Sequence, residues 1–203
     1  MPADFLRLPR LLAGPAPFRL MGERVMARPP ERGDWREWAE LRSESRNFLV
    51  PWEPRWMPDQ LTRAAFRRRL QRYNTDWRAD LGYSFLLFRR ADQALLGGIG
   101  LSNVRRGVAE TGSLGYWVGE RYARQGCMTE GLRLVLGFSF DHLRLHRVEA
   151  ACLPHNVPSR TLLLHGGFRE EGYARDYLCI DGRWQDHILF AILRSEWAAR
   201  TTG

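Results

Sequence analysis

The chain has 203 residues, 44% of them apolar and 12% aromatic, which is enough to build a core and excludes a disordered chain. Its formal net charge is +8, carried by arginine, a balance that suits polyanions or anionic small molecules or else a solvated basic surface. The cysteines Cys127, Cys152 and Cys179 are odd in number and far apart, which fits neither a disulfide framework nor a zinc signature.

A reducing cytoplasm follows as the simple setting. No apolar run approaches the length of a membrane span, so no membrane role is expected. Residues 1–17 are broken by Asp4, Arg7, Pro9 and Arg10 and read as a loose N-terminal extension rather than a signal peptide. FRLMGERVMARP, 18–29, reads as a first strand ended by Pro29 and Pro30. Asp34 to Arg46 has helical spacing through Trp35, Trp38, Ala39 and Leu41. NFLVPWEPRWMP, 47–58, is proline-punctuated and reads as a loop. Asp59 is the expected cap of a second helix running to about Tyr73, which carries the basic cluster RAAFRRRLQR.

From Gly82 the period changes. GYSFLLFRR, 82–90, and ALLGGIGLSNV, 94–104, read as strands around a turn at Asp92 and Gln93. GSLGYWVG ends a further strand at 119, and its interior Gly115 signals a bulge or a close backbone approach. A long apolar helix is expected from Gln125 to Leu145, then a strand over 147–153. HNVPSRTLLLHGG reads as a short helix capped by Asn156 and ended by Gly166 or Gly167. Two strands joined near Asp181-Gly182 close the chain by 193. A helix between strands implies a parallel crossover, whereas the hairpins imply antiparallel neighbours, so the expected fold is an α/β mixed sheet with helices on its faces.

The stretch ERYARQGCMTEGLRL places a short basic loop between a strand and a helix. The first amides of a helix lack internal partners, and its dipole makes that end positive. Arg124, Gln125, Gly126, Cys127, Met128 and Thr129 there are candidates to cradle a diphosphate, although such a junction is also an ordinary turn. Cys127 at the helix start is not required as a nucleophile. The histidines 142, 146, 155, 165 and 187 show no zinc spacing, so no metal is expected and surface or packing roles remain for them.

SRNFLVPWEP, SNVRRG, LGYWVGERYARQGCMTEGL, PHNVPSRTLL and EGYARDYLCIDGRWQDH, taken together, resemble the GNAT acyl-CoA N-acyltransferases, and within them the RimJ-type ribosomal-protein-alanine N-acetyltransferases. The resemblance runs from about Arg24 to Leu193 and implies one GNAT domain over 1–203. Only Gly126 fits the family's loop pattern strictly: Ala123 and Met128 depart from it, and Arg124 stands where the subfamily more often has glycine. The implied fold is a mostly antiparallel sheet splayed between its fourth and fifth strands, with the pantetheine arm of acetyl-CoA in the gap. The backbone of Tyr116, Trp117 and Val118 and the side chain of Asn156 are the implied contacts to that arm. Plain sheet pairing and helix capping are the rival roles for these residues.

The implied reaction is direct transfer of acetyl to a free amine. Glu53, in PWEP, is the candidate base acting through water, or else the partner of an arginine. Many relatives carry a tyrosine proton donor where Leu163 stands, so Ser159 is the substitute donor to the leaving thiolate, with Tyr173 and Tyr177 in reserve. The acceptor implied first is the N-terminal alanine of a small-subunit ribosomal protein, with the basic surface meeting a ribosome or an assembly intermediate. A small-molecule amine and a non-catalytic RNA-associated role are the alternatives, and a homo-oligomer is left open.

Overall fold

A computed structural model describes residues 18–201, and the extension expected over 1–17 lies outside them. The segment expected as one first strand is two, β1 (Leu20–Met21) and β2 (Val25–Arg28). They pair antiparallel around a turn in which the Gly22 N–H donates to the Val25 carbonyl at 2.9 Å. The break has a remote cause. The Glu130 carboxylate accepts the backbone N–H groups of Arg24 at 2.8 Å and Val25 at 3.2 Å, and a side chain at Gly22 would collide with it.

Helix α1 (Trp35–Glu44) buries Trp38 and Leu41 against the sheet, together with the charged Arg42. The expected loop after it winds up instead: α2 (Arg46–Leu49) runs into a 3₁₀ turn over Val50–Trp52, and Glu53 resumes extended backbone. Helix α3 (Arg63–Arg78) starts later and ends later than expected. Thr62 caps it by accepting the Ala65 N–H at 3.2 Å, while Asp59 pairs with Arg68. Phe66 and Leu70 make its inner stripe, and Arg63, Arg67, Arg68 and Arg72 stand exposed on the outer one.

The sheet continues through β3 (Tyr83–Arg89), β4 (Leu95–Arg105), β5 (Thr111–Val118), β6 (Arg147–Cys152), β7 (Arg169–Ile180) and β8 (Arg183–Leu193). Among the described residues eight strands form one sheet in the order β1-β2-β3-β4-β5-β6-β8-β7. Only β5 and β6 are parallel. The bulge between β4 and β5 lies at Ser102 to Arg105, so Gly115 is not its cause and pairs regularly with Gly100. Asp181 and Gly182 make the β7–β8 turn with φ of 45° and 79°, the left-handed pair that a tight hairpin needs.

The β5-to-β6 crossover runs through α4 (Cys127–Gly137), which stops short of the expected Leu145. Its end widens into a π turn over Phe138–His142, closed by the Leu143 N–H on the Phe138 carbonyl at 2.9 Å. Phe138 thereby joins Trp77, Tyr83 and Phe85 in an aromatic cluster. Leu132 and Leu136 of α4 and Leu163 of α5 (Val157–His165) are fully buried on one face of the sheet, each worth about 2 kcal/mol of apolar burial. Trp38, Leu41, Phe66 and Leu70 fill a smaller core on the other face. A last helix, α6 (Arg194–Thr201), follows β8 and was not expected.

Burial works against the Glu130 charge, but the two amides and the Arg24 guanidinium outweigh it and hold the carboxyl below its ordinary value. Glu130→Ala should therefore cost about 2 kcal/mol at neutral pH by leaving both amides unpaired. A group with a lowered folded pKa stabilises above its unfolded value and loses that contribution as pH falls. The gap in melting temperature between the two proteins should thus close as pH drops below the ordinary 4.5 of this carboxyl, as read by circular dichroism.

Candidate active site

The parallel ladder between β5 and β6 is short. It pairs Thr111 with Arg147, Gly112 with Val148 and Ser113 with Glu149, and then the strands part. Because the first expected strand is two, the splay falls between the fifth and sixth strands of the sheet rather than the fourth and fifth. It opens a cavity of about 1560 Å³ that reaches Tyr116, Trp117 and Val118 on one wall and Ala150 to Cys152 on the other. A Cβ built on Gly115 meets nothing within 4 Å, so the wedge is open beside that backbone.

At one end of the wedge stands the start of α4. Arg124 and Gly126 adopt left-handed backbone, φ 61° and 79°, and Gly126 is the helix N-cap. Arg124, Gly126, Cys127, Met128 and Thr129 line the cavity, whereas Gln125 does not and sends its amide back to the Arg121 carbonyl at 2.7 Å. The Cys127 and Met128 side chains are buried in the core, so these residues offer the cavity backbone rather than thiol or thioether. The amides of Cys127, Met128 and Thr129 have no partner within the helix, and an anion fits there. Arg24, which no local pattern singled out, adds a guanidinium beside this loop, 3.5 Å from the Gln125 carbonyl.

Side-chain parity gives the wedge two faces. Tyr116 belongs to the α4 side, where its hydroxyl lies 2.7 Å from Ser159 Oγ at the start of α5. Asn156 caps that helix, its Oδ1 accepting the Ser159 N–H at 3.1 Å, and it lines the cavity as well. Burial raises the Tyr116 hydroxyl well above its ordinary value against the opposing pull of Ser159, so it stays protonated. Burial likewise raises the neighbouring Cys152 thiol, with Ser159 opposing.

On the opposite face the 50–56 segment arches over the wedge. The Asp181 N–H donates to the Glu53 carbonyl at 2.9 Å, joining the arch to the tip of the β7–β8 hairpin. The Glu53 carboxylate lines the cavity, but its Oε2 accepts from both Arg42 and, at 2.8 Å, the Trp56 indole. The buried Arg42 guanidinium sits 4.7 Å from the Trp56 ring, 4.8 Å from Trp117 and 5.5 Å from Trp38. This box ties α1, the arch and β5 together. Tyr177 and His187 close the far side of the same face, while Tyr173 bonds Asp186 outside the cavity. Among the described residues no group of His, Cys, Asp and Glu could hold a metal, and no helix is long and apolar enough to cross a membrane.

Residues 24–169 match the model of the acetyltransferase (GNAT) domain. The probable N-acetyltransferase YjcK of Bacillus subtilis (strain 168) is 35% identical over 87% of this chain and 98% of its own. The [ribosomal protein uS5]-alanine N-acetyltransferase of Escherichia coli (strain K12) is 35% identical over 88% of this chain and 92% of its own. Mycobacterium smegmatis RimJ, solved in complex with CoA-disulfide, superposes with a TM-score of 0.79 at 30% identity, covering 87% of this chain and 89% of that one.

Removing one partner of a mostly buried ion pair strands the other. Arg42→Leu should cost about 3 kcal/mol in urea unfolding, and adding Glu53→Gln should recover part of that loss.

Proposed function

This chain belongs to the acetyltransferase (GNAT) family and is an acetyl-CoA-dependent N-acetyltransferase, and from that premise we propose that it acetylates a protein N-terminal α-amine. The acceptor proposed first is the N-terminal alanine of a small-subunit ribosomal protein. The observation that carries this choice is the likeness, over 88% of the chain, to an enzyme named for that acceptor. The exposed arginines of α3 give contact with a ribosome or an assembly intermediate a surface of the sign that RNA requires.

Acetyl-CoA supplies an acetyl thioester, and the residues of this chain would hold it and move protons around it. The amides of Cys127, Met128 and Thr129, with Arg124 beside them, bind diphosphate. Backbone groups of Tyr116 and Val118 face the wedge where β6 has left them and pair with the amides of the pantetheine arm, whereas those of Trp117, expected to do the same, turn the other way to Gly98 of β4. Asn156, whose Oδ1 is already used, offers its Nδ2 to the same arm. The Gln125 side chain has no part in this binding, because it is turned away. Ser159 gives its proton to the departing sulfur and is resupplied by the Tyr116 hydroxyl 2.7 Å away.

A free α-amine has a pKa near 8, so an appreciable minority is already neutral at pH 7 and positioning supplies much of the rate. Glu53 takes a different role from the base first considered. With Oε2 held by Arg42 and Trp56, it fixes the arch and lends negative charge to the side from which a cationic N-terminus approaches.

Ser159→Ala should lower kcat by about tenfold to a hundredfold with the KM for acetyl-CoA nearly unchanged, and unaltered turnover would remove Ser159 from the chemistry. Gly115→Val should keep its melting temperature, because its side chain enters open space, yet weaken coenzyme A binding by about tenfold in calorimetry. Ala-initiated peptides of ribosomal protein N-termini should be acetylated well ahead of spermidine or free amino acids. A preference for the small amines would move the acceptor to that class.

A further inference from the structure

His187 was expected to pack or to face solvent, and it does something more specific. It lies on β8, only 3% exposed, and forms part of the cavity wall. Its Nδ1 lies 2.9 Å from the Gln185 carbonyl oxygen. A carbonyl only accepts, so Nδ1 carries the proton and the neutral ring keeps its lone pair on Nε2. Nε2 has no hydrogen-bond partner among the described residues and is not one of the fully buried atoms, so it opens toward the cavity. The Tyr177 ring holds the imidazole edge-on at 5.7 Å.

Strand parity fixes the side it serves. Leu189 pairs with Ala151, and Ala191 with Glu149, so His187 shares their face of the sheet. Cys152 pairs with Ile188 and points to the opposite face, where Tyr116 and Ser159 also lie. A thioester in the wedge therefore has a hydroxyl donor on one side and an imidazole lone pair on the other.

We propose that His187 accepts the proton of the attacking amine. The amine nitrogen forms the new N–C bond to the acetyl carbonyl carbon as the C–S bond breaks. The displaced N–H proton passes to Nε2, directly or through one water, and the sulfur takes its proton from Ser159. Once product has left, the imidazolium returns its proton to solvent and the Ser159–Tyr116 hydroxyl pair takes one back from it, which closes the cycle. On this face Arg42 and Trp56 both bond Oε2 of Glu53, whereas Nε2 of His187 is unengaged. The titratable groups around the ring are Asp186 on its own strand, Tyr177 and Cys179 on β7, Glu149 on β6 and Glu53 on the arch. This inference rests on the N-acetyltransferase reading but on no particular acceptor.

The test uses the full chain and whichever amine it acetylates, with rates followed from pH 6 to 9.5. In His187→Gln, kcat/KM for the amine should fall about a hundredfold at pH 7 with the KM for acetyl-CoA kept within about twofold. The deficit should shrink as pH rises and hydroxide takes over the proton that the imidazole no longer accepts. Imidazole in the buffer should restore part of the rate of His187→Ala. Turnover within about threefold of the unaltered enzyme, or an equal loss at every pH with no imidazole rescue, would overturn the assignment.

The unaltered protein gives a second readout that does not depend on variants folding. Nitrogen NMR of histidine-labelled protein should show the His187 proton on Nδ1, and the Nε2 signal should move when acceptor is added without coenzyme. The opposite tautomer, or a signal blind to the acceptor, also sinks the proposal. An unaltered enzyme that turns over no amine would instead defeat the N-acetyltransferase reading beneath it.

Discussion

The molecule depends on a sheet that is allowed to come apart in one place. Between β5 and β6 only a three-residue parallel ladder is made, from Thr111–Arg147 to Ser113–Glu149. Beyond it the backbone groups of Tyr116 and Val118 turn toward a gap, while those of Trp117 stay with Gly98 of β4. Unpaired backbone is costly where water is excluded, so a sheet left to itself would zip further. Two contacts oppose that closure. Tyr116 is held toward α5 by its bond to Ser159, and Trp117 is held toward α1 beneath the Arg42 guanidinium. Successive residues of one strand are thus anchored to opposite faces, and the strand cannot turn toward β6 without breaking both.

That anchoring also sorts the chemistry. The α4 side of the wedge carries the hydroxyl pair, and the side under the arch carries a carboxylate and an imidazole. Acyl transfer to an amine needs one proton removed at nitrogen and one delivered at sulfur, at positions on opposite sides of the reacting carbon. A sheet provides such a separation cheaply, because alternate residues already point to opposite faces. On the proposed reading, the divided wedge lets donor and acceptor coexist without neutralising one another.

How much of this could be read from the residues follows from how local each cause is. The Asp181-Gly182 turn, the Asn156 cap and the strand pairs around Asp92 carry their reasons within a few residues, and all were legible. The break of the first strand was not, because it is imposed by Glu130, a residue of another element far along the chain. The end of α4 at Gly137 was hidden for a similar reason: the sequence stays apolar to Leu145, but the aromatic cluster around Phe138 widens the helix. Thr62 and Asp59 both had the chemistry of a cap, and only the path of the chain chose between them. In the site, the loop before α4 had a sequence pattern behind it, while Arg24, Arg42 and His187 acquire meaning only from partners on other strands and helices. The sole local hint was the unusual density of tryptophan around Arg42.

Arg124 shows how a departure from a pattern can be physical rather than accidental. It holds φ at 61°, a left-handed conformation that costs a residue with a Cβ about 1–2 kcal/mol and glycine almost nothing. A glycine would shape the turn equally well, so the turn does not explain the arginine. What the arginine adds is a guanidinium at the cavity wall, next to the free amides of α4 and across the loop from Arg24. The Glu130 carboxylate, 3.5 Å from the Arg24 guanidinium, already answers part of the positive charge at this helix end in the free enzyme. On the proposed reading the diphosphate answers the rest, and its attraction to the Arg124 guanidinium offsets the backbone cost of the turn.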